Sequence, residues 1–83
     1  MKVEIYGKEN CPHCKNAVQL CEMRGLEYHY YDVSDQETGP ELITELTNRI
    51  GTRPKSVPQI FIDNQHVGGY TQFHCALDAA RNM

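Results

Sequence analysis

Lys2-Val3-Glu4-Ile5-Tyr6-Gly7-Lys8-Glu9-Asn10-Cys11-Pro12-His13-Cys14 decides the fold. Val3 and Ile5 alternate with Lys2 and Glu4, and Tyr6 extends the run. Residues 2–6 are therefore a short strand, ended by Gly7. Residues 7–10 are a polar loop. Pro12 suits the first turn of a helix, where its missing N–H costs nothing. Cys14, Ala17, Val18 and Cys21 recur at i, i+3, i+4 and i+7, one apolar face of a helix that stops at Gly25. Glu27-Tyr28-His29-Tyr30-Tyr31-Asp32-Val33 is rich in aromatics and supplies a second strand. Two strands joined through a helix lie parallel, with a right-handed crossover.

The remaining chain completes the pattern. Residues 34–39 are polar. A second helix starts near Pro40, carries Leu42, Ile43, Leu46 and Ile50 as its apolar stripe, and stops at Gly51. Residues 52–56 make a basic loop with Arg53 and Lys55. Val57-Pro58-Gln59-Ile60-Phe61-Ile62 is a third strand that begins at a proline. Asp63-Asn64-Gln65 turns the chain, and His66-Val67 returns as a short strand. Gly68-Gly69 breaks it. Residues 70–81 form a last helix with Phe73, Leu77 and Ala80 on its inner face. The order β-α-β-α-β-β-α predicts an α/β fold with a four-stranded mixed sheet flanked by helices.

Composition limits what such a fold can be used for. The chain has 83 residues, 23% charged and 40% hydrophobic, typical of a globular protein and too apolar for disorder. Residues 1–83 form one domain, since a chain of this size buries only about 60% of its unfolded surface. The net charge of -3 argues against a nucleic-acid partner held by bulk positive charge. No apolar run reaches the roughly 20 residues of a membrane helix, and no apolar segment near the start resembles a secretory signal. These features predict a cytoplasmic protein without a membrane or nucleic-acid partner.

Cys11-Pro12-His13-Cys14 carries the chemistry. A thiol reacts as its thiolate, and a helix N-terminus favours that anion through exposed N–H groups and partial positive charge. Cys11 stands just outside the first turn. Lys8, three residues earlier, adds a cation nearby. Cys14 lies one turn further in, within disulfide reach of a cysteine at the cap. The pair can cycle between dithiol and disulfide. A zinc site would need two further ligands, and only His66, His74 and Cys75 stand as isolated candidates. An iron–sulfur cluster held through Cys11 and shared across a dimer is a second rival. Cys14 and Cys21 stand about 10 Å apart along a helix, too far for a disulfide. Cys21 and Cys75 are expected to be structural.

Three separated stretches now agree: Cys11-Pro12-His13-Cys14, Ser56-Val57-Pro58-Gln59-Ile60-Phe61-Ile62-Asp63 and His66-Val67-Gly68-Gly69-Tyr70-Thr71-Gln72-Phe73. Together they resemble the small dithiol glutaredoxins, of the bacterial glutaredoxin-1 type, over essentially the whole chain. The resemblance implies a thioredoxin-like fold and a glutathione-dependent thiol–disulfide oxidoreductase. No bound cofactor or metal is implied, and glutathione is the co-substrate. It places the nucleophile at Cys11, the resolving thiol at Cys14 and a cis proline at Pro58. It assigns Lys8, His13, Ser56, Val57, Pro58, Gly69, Tyr70, Thr71 and Gln72 to a glutathione groove. It implies a monomer acting on disulfide or glutathionylated proteins, ribonucleotide reductase among them. A donor served by thioredoxin reductase is the rival enzyme reading, and the Gly68-Gly69-Tyr70-Thr71 segment favours glutathione.

The chain departs from that pattern in three places. His13 replaces tyrosine between the cysteines, either adding partial positive charge beside the thiolate or serving as a solvent-facing spacer. Ser56 replaces threonine and keeps a hydroxyl. Gln72 stands where related proteins carry aspartate, so a charge-assisted bond to the glutamyl ammonium becomes a neutral one. Arg49, Arg53 and Lys55 precede the Pro58 loop. They are expected to form a solvated basic loop, with one of them meeting the glycyl carboxylate as the alternative.

Overall fold

The structure is a computed structural model that describes residues 1–81. The elements run β1 (Lys2–Gly7), α1 (Pro12–Met23), β2 (Glu27–Asp32), α2 (Gly39–Ile50), β3 (Gln59–Ile62), β4 (Gln65–Gly68) and α3 (Tyr70–Arg81). The sheet order is β2-β1-β3-β4. β1 pairs parallel with β2 and antiparallel with β3, and β3 pairs antiparallel with β4. Asp63 and Asn64 adopt φ of 49° and 70°, the left-handed pair that closes a two-residue hairpin matching strand twist.

The period of two along β1 sends neighbouring side chains to different layers. Val3 and Ile5 join Ile60 of β3, Ala17, Leu20 and Cys21 of α1, and Phe73 and Leu77 of α3 in one apolar cluster. Tyr6 joins Phe61 and Leu46 of α2 in a second cluster. The helices thus cover both faces, α1 and α3 on one and α2 on the other. Three inner-face assignments shift. Leu20 is buried and Val18 only half-buried, because α1 turns Leu20 toward the sheet. Ala80 is exposed, lying beyond the part of α3 that meets the core.

Alternation alone places Glu4 in solvent, yet only 8% of it is exposed. The cause is α2. Arg49 donates from Nη2 to Glu4 Oε1 at 2.9 Å and from Nη1 to Oε2 at 3.1 Å, the bidentate geometry a guanidinium offers a carboxylate. Arg49 Nη1 also donates to the Tyr6 hydroxyl at 2.9 Å, and that hydroxyl donates to Glu45 at 2.8 Å. The guanidinium lies 3.7 Å from the centre of the Phe61 ring, a cation–π contact. Tyr6 stacks on Tyr31 at 4.7 Å. Arg49 is therefore tied to the sheet under α2 and is not part of a solvated basic loop.

Candidate active site

After β1 the chain turns at Asn10, with φ of 57°, and delivers Cys11 to the N-cap of α1 in an extended conformation. The Cys14 N–H donates to the Cys11 sulfur at 3.3 Å. A sulfur at this position meets the unpaired N–H groups and the positive end of the helix dipole, both of which favour its anion. Cys14 sits one turn inside, with a Cα–Cα distance of 5.2 Å to Cys11, and the two sulfurs are disulfide-bonded. Cys11 is 9% exposed and Cys14 1%, so an incoming disulfide reaches Cys11 first. The floor beneath Cys14 is glycine for a steric reason. A β-carbon at Gly7 would run into the Cys14 sulfur and the Tyr30 hydroxyl. That hydroxyl donates to the Lys8 carbonyl at 2.9 Å and pins the loop before Cys11. Burial raises the Tyr30 pKa, with the nearby Asp32 carboxylate adding to it, so Tyr30 remains a donor.

Beside the cysteines, eight of the nine groove residues expected from sequence meet. His13, Ser56, Val57, Pro58, Gly69, Tyr70, Thr71 and Gln72 line a hollow of about 280 Å³. The Val57–Pro58 peptide is cis. Gln59 donates from its side chain to the Ser56 carbonyl at 2.9 Å, and His66 meets Gln59 at 2.7 Å, bracing the loop from the hairpin. On the other wall, Gly69 starts α3: its carbonyl accepts the Phe73 N–H at 3.0 Å, and its N–H donates to Gln72 Oε1 at 3.1 Å. Lys8 is set apart. It lines a different hollow of about 470 Å³ with Cys11, Lys15, Val18, Tyr28 and Tyr30. Lys15 and Val18 project from the side of α1 opposite His13 at 100° per residue, so the two hollows flank that helix.

Comparison with known proteins identifies the family of the chain. The glutaredoxin family model matches residues 3–67. The chain belongs to the glutaredoxin family. It is 37% identical over 78 residues to glutaredoxin 1 of Escherichia coli, covering 88% of each chain. The solution structure of reduced Escherichia coli glutaredoxin superposes with a TM-score of 0.79 at 32% identity, covering all of both chains. A buckwheat glutaredoxin solved in complex with glutathione shares the fold, with a TM-score of 0.74 at 23% identity over 93% of this chain and 69% of that one. The protein is thus a glutaredoxin with a thioredoxin-like fold and a CPxC cysteine pair, and its activity is thiol–disulfide exchange.

The other sequence candidates do not line this glutaredoxin groove. Arg53 lines a surface hollow beside α2 with Pro40 and Asn48, and Lys55 is exposed. Cys21 is fully buried in the core, where burial pushes its thiol up to about 11 and keeps it protonated. Cys75 is exposed on α3 and takes no part in the core. The helical face carrying Phe73 and Leu77 turns Cys75 outward. Among the described residues, no three His, Cys, Asp or Glu side chains gather as a metal ion requires. Among the same described residues, no helix is long and apolar enough to cross a membrane.

Proposed function

We propose that this glutaredoxin reduces glutathione mixed disulfides and protein disulfides with glutathione as reductant, using Cys11 as nucleophile and Cys14 as resolving thiol. One observation carries the reading. The more accessible sulfur, at Cys11, accepts a helix N-terminal N–H, next to a groove walled by the cis Val57–Pro58 loop and the start of α3. The Cys11 thiolate attacks one sulfur of a substrate disulfide, forming a mixed disulfide and expelling the other sulfur as a thiolate. Cys14 loses its proton and attacks the Cys11 sulfur, releasing the second substrate thiol and closing Cys11–Cys14. One glutathione thiolate opens that bond at Cys11, and a second takes the bound glutathione away as glutathione disulfide. Both cysteines are then reduced. A nucleophile with a pKa near ambient pH balances thiolate fraction against nucleophilicity in such exchanges.

His13, Ser56, Val57, Pro58, Gly69, Tyr70, Thr71 and Gln72 hold glutathione in this scheme. The backbone N–H and C=O of Val57 pair with the cysteinyl backbone as an added strand would, and the first turn of α3 receives a carboxylate. Lys8, on the far side of Cys11, acts as a nearby cation and not as a groove wall. The protein works as a cytoplasmic monomer, and ribonucleotide reductase is the first protein disulfide to try.

Two variants test the assignment in a coupled assay with glutathione and glutathione reductase. Cys11→Ser loses turnover on every substrate. Cys14→Ser keeps deglutathionylation and loses protein-disulfide reduction. Retained turnover in Cys11→Ser overturns the roles. Turnover supported by thioredoxin reductase and not by glutathione overturns the choice of reductant.

A further inference from the structure

Glutathione carries two carboxylates and one ammonium, and the groove matches these charges unevenly. None of its eight lining residues is Asp, Glu, Lys or Arg. Of the two rings in its wall, His13 is an imidazole base and Tyr70 a phenol. Lys55, the chain neighbour of Ser56, is also a base. Arg49 is committed to Glu4 on the opposite face of the sheet. The acidic residues near Cys11, Glu9 and Asp32, line the other hollow. An ammonium bound in the groove therefore finds no carboxylate in the wall.

Gln72 is the residue that settles this. Its side-chain oxygen already accepts the Gly69 N–H at 3.1 Å, and like the hydroxyls and carbonyls around it offers an ammonium only an uncharged acceptor. That bond closes the start of α3 as the one half of a capping box that a glycine N-cap allows. The Gln72 side chain also packs over Gly68, which has φ of 113°: a β-carbon there would sit 3.3 Å from Gln72 Cβ and Cγ. The side chain is held against the turn by packing as well as by the hydrogen bond. What remains for a ligand is uncharged: main-chain groups at Val57, hydroxyls at Ser56 and Thr71, and the N–H groups of the first turn of α3, which have no acceptor within the helix.

We infer that Gln72 makes the groove indifferent to the α-ammonium of its ligand, so that it takes cysteinyl peptides by main chain and carboxylate whether or not that amine is free. This deepens the glutathione reading above and rests on it. Mixed disulfides of amine-blocked peptides then react about as well as that of glutathione.

The test uses one reporter peptide with a single cysteine, prepared as a mixed disulfide with glutathione or with glutathione acetylated on its α-amine. The reduced full-length protein releases the peptide thiol, and the second-order rate constant is measured for each disulfide. The wild type should favour glutathione by less than about fivefold, below what one charge-assisted hydrogen bond to the ammonium would give. Gln72→Asp and Gln72→Glu restore a carboxylate and should raise the preference by about fivefold or more. Both disulfides are read on the same variant, so a partly unfolded sample leaves the ratio unchanged. A wild-type preference above fivefold overturns the inference and leaves the glutathione reading intact. So does an unchanged ratio in both variants. If neither disulfide reacts faster than with Cys11→Ser, the glutathione reading fails and takes this inference with it.

Discussion

The two faces of the sheet are built from different chemistry. Between β1, β3, α1 and α3 the buried cluster is apolar, built of Val3, Ile5, Ala17, Leu20, Ile60, Phe73 and Leu77, with an Arg24–Asp78 ion pair outside it at the C-terminal cap of α1. The face under α2 is aromatic and charged, with Tyr6, Tyr31 and Phe61 surrounding an Arg49–Glu4 pair. The apolar face anchors α1 and α3, the two helices whose N-termini bear the cysteines and one groove wall. Non-directional burial suffices there, because the strand-to-helix turns set the positions of Cys11 and Gly69. Under α2 a directional network holds one helix in one register and touches neither cysteine. One face supports chemistry at its rim, and the other fixes the sheet from behind.

The sharpest way to break this division is Phe73→Ala. Phe73 is fully buried in the apolar cluster, and such a truncation costs about 3–5 kcal/mol. A small domain has about 5–15 kcal/mol in all. The urea midpoint should fall steeply. Turnover should fall with it, because α3 carries the Gly69-to-Gln72 wall. A variant that lost stability while keeping its groove affinity would show that the wall does not depend on this core.

Arg49→Ala should act more narrowly. It leaves Glu4 nearly enclosed and without its cation, which costs about 3 kcal/mol. Arg49→Met combined with Glu4→Leu should recover most of that loss, since apolar replacement of a buried pair is often neutral. Alkylation of Cys11 by iodoacetamide, measured where each variant is fully folded, should stay at the wild-type rate. A slowed reaction in Arg49→Met/Glu4→Leu would show that the α2 face also reaches the cysteines, and the separation of the two faces would be lost.

The same contrast explains what could be read from the sequence. The apolar face was legible because its signals are local: alternation at Val3 and Ile5, helical spacing from Cys14 to Cys21, stops at Gly25 and Gly51, and a turn at Asp63-Asn64. The cysteine pair was legible because strand, loop and Pro12 fix where a helix must start. Local pattern could not reveal the Glu4–Arg49 pair, which joins residues 45 positions apart. By alternation Glu4 looks solvent-facing, and Arg49 looks like one more base before a loop. The groove residues reach from His13 to Gln72 and were collected by resemblance, since no periodicity links them. Lys8 was grouped with them by motif, and the hydrogen bond from Tyr30 to its carbonyl places it across α1. Cys75 has no motif around it, and only the packing of α3 shows it to be outside the core.

The smallest of these effects is a dependence on pH, and it isolates the charged face alone. The Arg49 guanidinium, by hydrogen bond, holds the Glu4 carboxyl below its ordinary value of 4.5 despite the opposing effect of burial. A carboxyl with a depressed folded pKa adds stability above the unfolded value, and that stability is lost as pH falls through the folded one. Tyr6 bounds the alkaline side: burial pushes its hydroxyl up to about 12 from 10.0, so its contribution is present below pH 10 and lost as pH rises through 12. Unfolding free energy measured by urea should therefore decline below about pH 4.5. Glu4→Gln should lower the neutral-pH value and flatten that acid limb. Asp35 is held low by the Thr38 and Glu37 N–H groups, so part of the slope persists. An acid limb of wild-type steepness in Glu4→Gln would mean that the pair is not what titrates, and that the α2 face draws its stability from its rings.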